Sequence, residues 1–226
     1  MSIAENIKHY QAVLPRGTRL IAVSKTKPVS DLQQAYDAGQ RLFGENKAQE
    51  MRDKHAVLPK DIEWHFIGHL QINKVKYVVP IAKLIHSVDS LKLLCEINKA
   101  AIKCNKVADC LLQVKLSQEE TKYGFDEQDL EALQENEEFR SLENVRICGL
   151  MGIGSVTEDL HQTKKEFEHL GRLFKQIKER YYKEDERFCE LSMGMSHDYQ
   201  IAVQEGSTLV RIGSSIFGLR NYAAKS

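Results

Sequence analysis

Three short segments carry the side chains best suited to chemistry. The first, Ser24-Lys25-Thr26-Lys27-Pro28, closes an apolar run that begins at Leu20. Lys25 shares strand parity with Ile21 and Val23, so it can point inward near the edge of a core. An ammonium group there is costly unless its pKa falls or it is tied up as an imine; the plainer alternative is a lysine that snorkels to the rim. The second segment is TLVRIGSS, in which Leu209, Arg211 and Gly213 share one face and Thr208, Val210 and Ile212 the other. If the Val/Ile face packs on helices, Arg211 points inward and needs a partner, either a buried carboxylate or an acceptor on a ligand. Gly213-Ser214-Ser215 follows at once, and a glycine there lets the backbone approach an anion closely. The third segment, LSMGMSHDYQIAVQEG, places Ser196 where a helix N-cap is expected and Gly206 where that helix stops. Ser196 and the first-turn N–H groups could cap the helix or hold an anion, and Asp198 opposes an anion unless it points away. An amine, an inward arginine and a phosphate cup describe an aldehyde-bearing phosphate ester. Pyridoxal phosphate fits, and so does the intermediate of a phosphosugar aldolase.

Such groups must be brought together by elements spread along the whole chain. Short, nearly continuous apolar runs predict strands at Leu20–Lys25, Leu42–Asn46, Trp64–Gly68, Leu84–Asp89, Cys110–Leu116, Val145–Ile153, Phe188–Gly194 and Leu209–Gly213. Runs of this kind suit parallel strands covered on both faces. Helix signals lie between them. Ser30 and Gln33 read as a capping box with Gly39 as the stop, and Phe167, Leu170, Leu173, Phe174, Ile177 and Tyr181 form an apolar stripe. A further stripe, Ile3, Ile7, Tyr10 and Leu14, predicts a helix before the first strand. Strict alternation with eight strands predicts an α/β fold, a (β/α)8 barrel over residues 1–226, with a doubly wound open sheet as the alternative. In such barrels function collects at the C-terminal strand ends, and phosphate is often held by the loops after strands seven and eight.

The chain has 226 residues, 42% hydrophobic and 28% charged, with 32 basic side chains against 32 acidic ones. This balance predicts no nucleic-acid or anionic-membrane partner. No apolar stretch approaches a membrane span, since YVVPIA is interrupted by Lys83. The N-terminus carries Glu5 and Lys8 where a signal peptide needs an apolar run, which predicts a cytoplasmic protein. The five cysteines (Cys95, Cys104, Cys110, Cys148, Cys189) include no CxxC pair and read as reduced, buried thiols without a metal.

The segments IAVSKTKP, LFGENKAQE, EWHFIGHLQINK, HSVDS, EETKYGF, CGLMGI and LSMGMSHDYQIAVQEGSTLVRIGSSIFG together resemble the pyridoxal phosphate homeostasis protein family. They run in the expected order from about Ile21 to Gly218. The resemblance implies a barrel similar to the N-terminal barrel of bacterial alanine racemases. It implies pyridoxal phosphate held as a Schiff base on Lys25, with the phosphate at Ser196, Gly213 and Ser214 and the pyridine nitrogen at Arg211. It further implies that Asn46 and His65 line the cofactor pocket; a strand-end turn residue and a satisfied core histidine are the alternatives. Lys122 and Gly124 are also typical of the family, without an assigned role. The implied function is intracellular cofactor storage, buffering or delivery to apoenzymes. A pyridoxal-phosphate-dependent amino-acid racemase is the alternative. Alanine racemases use a second domain for their second base, and the absence of such a domain before Ser226 favours the binding protein and makes a monomer plausible. Borohydride reduction in the presence of pyridoxal phosphate, followed by peptide mapping, should place the pyridoxyl group on the peptide bearing Lys25. Label only on Lys27 or Lys122 would reject that assignment.

Overall fold

All eight apolar runs become strands: β1 (Arg19–Val23), β2 (Leu42–Glu45), β3 (Glu63–Phe66), β4 (Leu84–Val88), β5 (Ala108–Lys115), β6 (Val145–Ile153), β7 (Glu190–Met195) and β8 (Leu209–Ile212). The computed structural model describes residues 1–116 and 123–218. Consecutive strands pair in parallel, and β8 returns to β1 with Ile21 beside Arg211, closing the sheet. The (β/α)8 barrel expected from the alternation is therefore the fold, and the open doubly wound sheet is excluded. Among the described residues the helices are α1 (Ile3–Val13), α2 (Val29–Asp37), α3 (Ala48–Val57), α4 (Val75–Val78), α5 (Leu91–Lys103), α6 (Glu127–Glu135), α7 (Glu137–Arg140), α8 (Leu160–Tyr181), α9 (Tyr199–Gln204) and α10 (Ser214–Phe217).

Strand alternation divides the apolar side chains between two cores. Ile21, Leu84, Leu111, Cys148, Met151 and Leu209 fill the barrel. Leu20, Ala22, Phe43, Val210 and Ile212 belong to the larger core that includes the buried helix faces. Both strand faces are thus dry, which accounts for the unbroken apolar runs. In α8, Phe167, Leu170, Leu173 and Ile177 are buried, as the stripe predicts, while Phe174 and Tyr181 pack at the edge. Cys110 and Cys148 are the buried thiols; Cys104 and Cys189 are exposed, contrary to expectation, and Cys95 is half-buried. Burial pushes the Cys148 thiol up to about 12.

Two helix starts differ from the sequence expectation. Pro28 occupies the N-cap position of α2 and no side chain caps it, so Ser30 lies in the first turn. Proline suits this boundary because its φ is already fixed near the value required. In the loop after β7 the N-cap position belongs to Asp198 rather than Ser196. The stops are as expected: Gly39 and Gly206 adopt φ of +100° and +94°.

Two irregularities shape the sheet. Along β5 and β6, Cys110 pairs with Ile147 and Leu111 with Gly149, so one extra residue, Cys148, bulges on β6. Gly149 has φ +147°, and a Cβ there would lie 1.8 Å from the Glu190 carbonyl oxygen. Along β7 and β8, Ser192 pairs with Leu209 and Met195 with Arg211, an extra residue on β7 accommodated at Gly194 with φ +92°. Replacing Gly149 by alanine forces β6 and β7 apart and strains the backbone. Urea denaturation should show a loss of more than about 3 kcal/mol.

Candidate functional site

The C-terminal mouth of the barrel holds two adjoining cavities, of about 260 and 230 Å³, that share Lys25, Ile67 and Ile153. Together they fall in the range of small-molecule sites, roughly 300–1,000 Å³. Asn46 lines the first cavity; Ser196, Arg211, Gly213 and Ser214 line the second. Six of the seven residues singled out in the sequence are therefore brought to one mouth.

Lys25 reaches it by a route that strand parity does not describe. β1 ends at Val23, and Lys25 sits half-buried in a turn in which Thr26 adopts φ +66°. A buried ion cluster pins this turn on both sides of the lysine. Lys54 Nζ donates to the Ser24 carbonyl at 2.8 Å and to Glu45 Oε1 and Glu50 Oε1, each at 2.7 Å. The Ser24 hydroxyl donates to the same Glu45 oxygen at 2.6 Å, and the Thr26 N–H donates to Glu50 Oε1 at 2.6 Å. Burial raises the Glu45 carboxyl above its ordinary range, with Lys54 acting in the opposite direction. Sequence reasoning misses Lys54 because charged residues in an amphipathic helix are ordinarily solvated, and misses Glu45 because a carboxylate at a strand end is ordinarily at the rim; only the Glu50–Lys54 spacing of four hints at a pair.

Arg211 is inward and buried, as its parity predicts, but its partner is not a carboxylate. Nη1 donates to Ser192 Oγ at 2.6 Å and Nη2 to the Gly152 carbonyl at 2.9 Å. Burial pushes the guanidinium down to about 10, and the charge of Asp198 works the other way. At that value it stays charged at neutral pH. Neither Ser192 nor Gly152 is anticipated by the sequence, although Ser192 lies two positions before the Gly194 bulge on the inward face.

The loops after β7 and β8 meet at the second cavity. The Gly213 N–H donates to Ser196 Oγ at 3.3 Å, tying the two loops together. Ser214 and Ser215 open α10, where first-turn N–H groups lack intrahelical acceptors. A Cβ on Gly213 would stand 3.1 Å from the Val23 carbonyl oxygen and 3.2 Å from its Cβ, so the glycine also permits close contact with β1. Asp198, the residue that could oppose an anion, turns its Oδ1 back to the Met195 N–H at 2.5 Å and does not line the cavity.

Asn46 Oδ1 is buried without a hydrogen-bond partner among the described residues, an acceptor left over at the edge of the first cavity. In that cavity His69 stacks on Tyr123 at 3.8 Å and its Nδ1 lies 3.1 Å from Asp89 Oδ2. Gly124 adopts φ +135° beside β5; Lys122 lies outside the described residues.

His65 is the exception among the expected site residues. It faces the barrel interior but lies too deep, with Nδ1 2.8 Å from His86 Nε2, and it lines a cavity at the opposite mouth with Arg19 and Lys83. Two residues add about 6–7 Å along a strand, so Ile67, not His65, reaches the C-terminal mouth. Among the described residues no group of three His, Cys, Asp or Glu side chains could hold a metal ion.

The barrel and its site define the class first. The family model described as "Alanine racemase, N-terminal domain" matches residues 1–221. An alanine racemase from Clostridium difficile shares the fold at a TM-score of 0.73, with 15% identity over 99% of this chain and 57% of its own. A closer likeness is a protein from Aquifex aeolicus named pyridoxal phosphate homeostasis protein, 41% identical over 205 residues, covering 90% of this chain and 88% of that one. The structure of PipY from Synechococcus elongatus, described with PLP bound, superposes at a TM-score of 0.87, with 36% identity over 96% of this chain and all (100%) of that one. The chain belongs to the pyridoxal phosphate homeostasis protein family.

Removing Lys54 would leave Glu45 buried without its counter-charge and release both flanks of Lys25. Lys54→Met should lower stability by about 3–5 kcal/mol in urea denaturation. A change below about 1 kcal/mol would show that the cluster is not what holds the turn.

Proposed function

We propose that this chain binds pyridoxal phosphate at the C-terminal mouth and serves cofactor homeostasis by storing, buffering or delivering it. One observation carries the reading: Lys25, Arg211, Ser196, Gly213 and Ser214 line a single cavity. No helix among the described residues is long and apolar enough to cross a membrane. The reading makes the cytoplasm its location and apoenzymes the receivers of its cofactor.

The residues present fit the group. When bound, pyridoxal phosphate supplies an aldehyde that captures amines and a pyridine ring that withdraws electrons. Lys25 offers the amine that holds the aldehyde. Ser196 and the main-chain N–H groups of the α10 turn offer donors for the phosphate. Asn46 Oδ1 supplies the unpaired acceptor near Lys25. Arg211 would donate to the pyridine nitrogen and, because a guanidinium keeps its protons at neutral pH, would leave that nitrogen unprotonated.

That last contact bears on the choice between carrier and racemase. A carboxylate facing the ring keeps the nitrogen protonated and strengthens electron withdrawal; an arginine does the reverse. Such a site favours retention and release of the cofactor over removal of α-protons from amino acids. A sugar-phosphate aldolase would have no use for Arg211.

Wild-type protein loaded with pyridoxal phosphate should reconstitute an apoenzyme and show little deuterium incorporation at Cα of added amino acids, measured by NMR. Arg211→Glu, with cofactor occupancy confirmed, should exchange faster. Rapid exchange by wild type that is lost in the variant would reject the carrier and restore the racemase.

A further inference from the structure

Behind Arg211 lies a line of buried polar groups that the proposed binding roles do not use. Ser192 Oγ, the acceptor of Arg211 Nη1, stands 2.9 Å from His86 Nδ1, and His86 Nε2 stands 2.8 Å from His65 Nδ1. Ser192 and His86 are fully buried and His65 is 2% exposed. The line runs through the barrel from β8 by way of β7 and β4 to β3.

The chemistry of the first member, together with the number of groups left unmet, sets the direction of the others. Burial keeps both imidazoles neutral, His65 pushed down to about 3 and His86 well below its ordinary value. A neutral imidazole donates once and accepts once, and a guanidinium only donates. Ser192 Oγ therefore accepts from Arg211, and its own proton meets His86 Nδ1. His86 then carries its proton on Nε2 and donates to His65 Nδ1. His65 in turn carries its proton on Nε2, the one atom of the line without a partner among the described residues. The reverse assignment would strand two groups, the Ser192 proton and the bare His65 Nε2. A buried unmet polar group costs about 1–3 kcal/mol, so the assignment that leaves fewer is favoured.

We propose that His86 and His65 are positioning residues for Arg211. By accepting the Ser192 proton, His86 keeps a Ser192 lone pair turned to Nη1 and so fixes the plane of the guanidinium. His65 completes the line by accepting from His86. Successive hydrogen bonds of the same sense polarise one another, which strengthens the hold. The functional part of the inference rests on the reading of Arg211 as the partner of the pyridine nitrogen.

Two measurements test it. Heteronuclear NMR of the imidazole nitrogens in the wild-type protein without cofactor should find both rings neutral with the proton on Nε2. A proton on His86 Nδ1 would overturn the direction of the line, whatever the protein binds. Affinity for pyridoxal phosphate and the absorption spectrum of the bound form should then be compared for His86→Leu and His86→Asn. Leucine cannot accept from Ser192 and should weaken binding about tenfold and shift the spectrum. Asparagine keeps an oxygen near the Nδ1 position and should bind like wild type. In an Arg211→Leu background, His86→Leu should add nothing, because its effect passes through the guanidinium. An additive loss, or equal losses for asparagine and leucine, would reject the positioning role. Should His86→Leu fail to fold, the imidazole spectra and His86→Asn still decide. Failure of wild type to bind the cofactor would instead reject the function proposed above, and the imidazole spectra would then decide the direction of the line by themselves.

Discussion

A guanidinium buried in a barrel without a carboxylate is the constraint around which this interior is organised. Arg211 retains its charge yet shares the barrel interior with Ile21, Leu209 and Met151. Among the described residues its charge is met at close range by dipoles, a hydroxyl and a carbonyl, with Asp198 acting from farther away. A neighbouring carboxylate would have neutralised the charge; a hydroxyl and a carbonyl satisfy two N–H groups and leave the charge in place. Neutral acceptors hold the guanidinium in place while its remaining donors stay available at the cavity. The polar line through His86 and His65 follows from the same requirement, since the Ser192 hydroxyl that serves Arg211 must itself be satisfied.

The amine at the other side of the cavity is handled differently. Lys25 is on a turn, and turns are softer than strands, so its position depends on what anchors its neighbours. The anchor is an ion cluster assembled from β2 and α3, with Lys54 at its centre. Salt bridges of this kind are expensive to desolvate and add little stability over a well-packed apolar substitute. Their value here is geometric: one ammonium group and two carboxylates hold the carbonyl of Ser24 and the N–H of Thr26 at once. The β7 bulge and the Ser196–Gly213 contact do for the third segment what the cluster does for the first.

Closure of the barrel converts these local devices into one site. β1 and β8 lie near opposite ends of the chain, and only their pairing sets Lys25 and Arg211 beside the same cavity. The loops after β7 and β8 then complete the wall. Retaining an aldehyde reversibly needs an amine, an anion cup and a ring contact that leaves the ring a weak electron sink, and this mouth presents residues suited to each.

Much of this is readable from the chain itself. Continuous apolar runs alternating with amphipathic stripes require strands covered on both faces, which narrowed the fold to a barrel or a doubly wound sheet; the pairing of β8 with β1 decided for the barrel. Parity placed Arg211 inward, and the Gly213-Ser214 turn marked one wall of the cavity; these are local properties carried by spacing. What spacing does not carry is depth and partnership. His65 and Ile67 have the same parity, and only the register of β3 against β2 and β4 decides that one meets His86 and the other meets the cavity. Lys54 and Glu45 read as ordinary surface charges until α3 folds onto β2 and removes them from water. Ser192 and His86 join one line of hydrogen bonds, and the Gly152 carbonyl accepts from Arg211, only inside a closed barrel. A sequence specifies which face a side chain takes, because that depends on its own backbone; which group it meets there depends on strands far away in the chain, and the tertiary structure alone decides it.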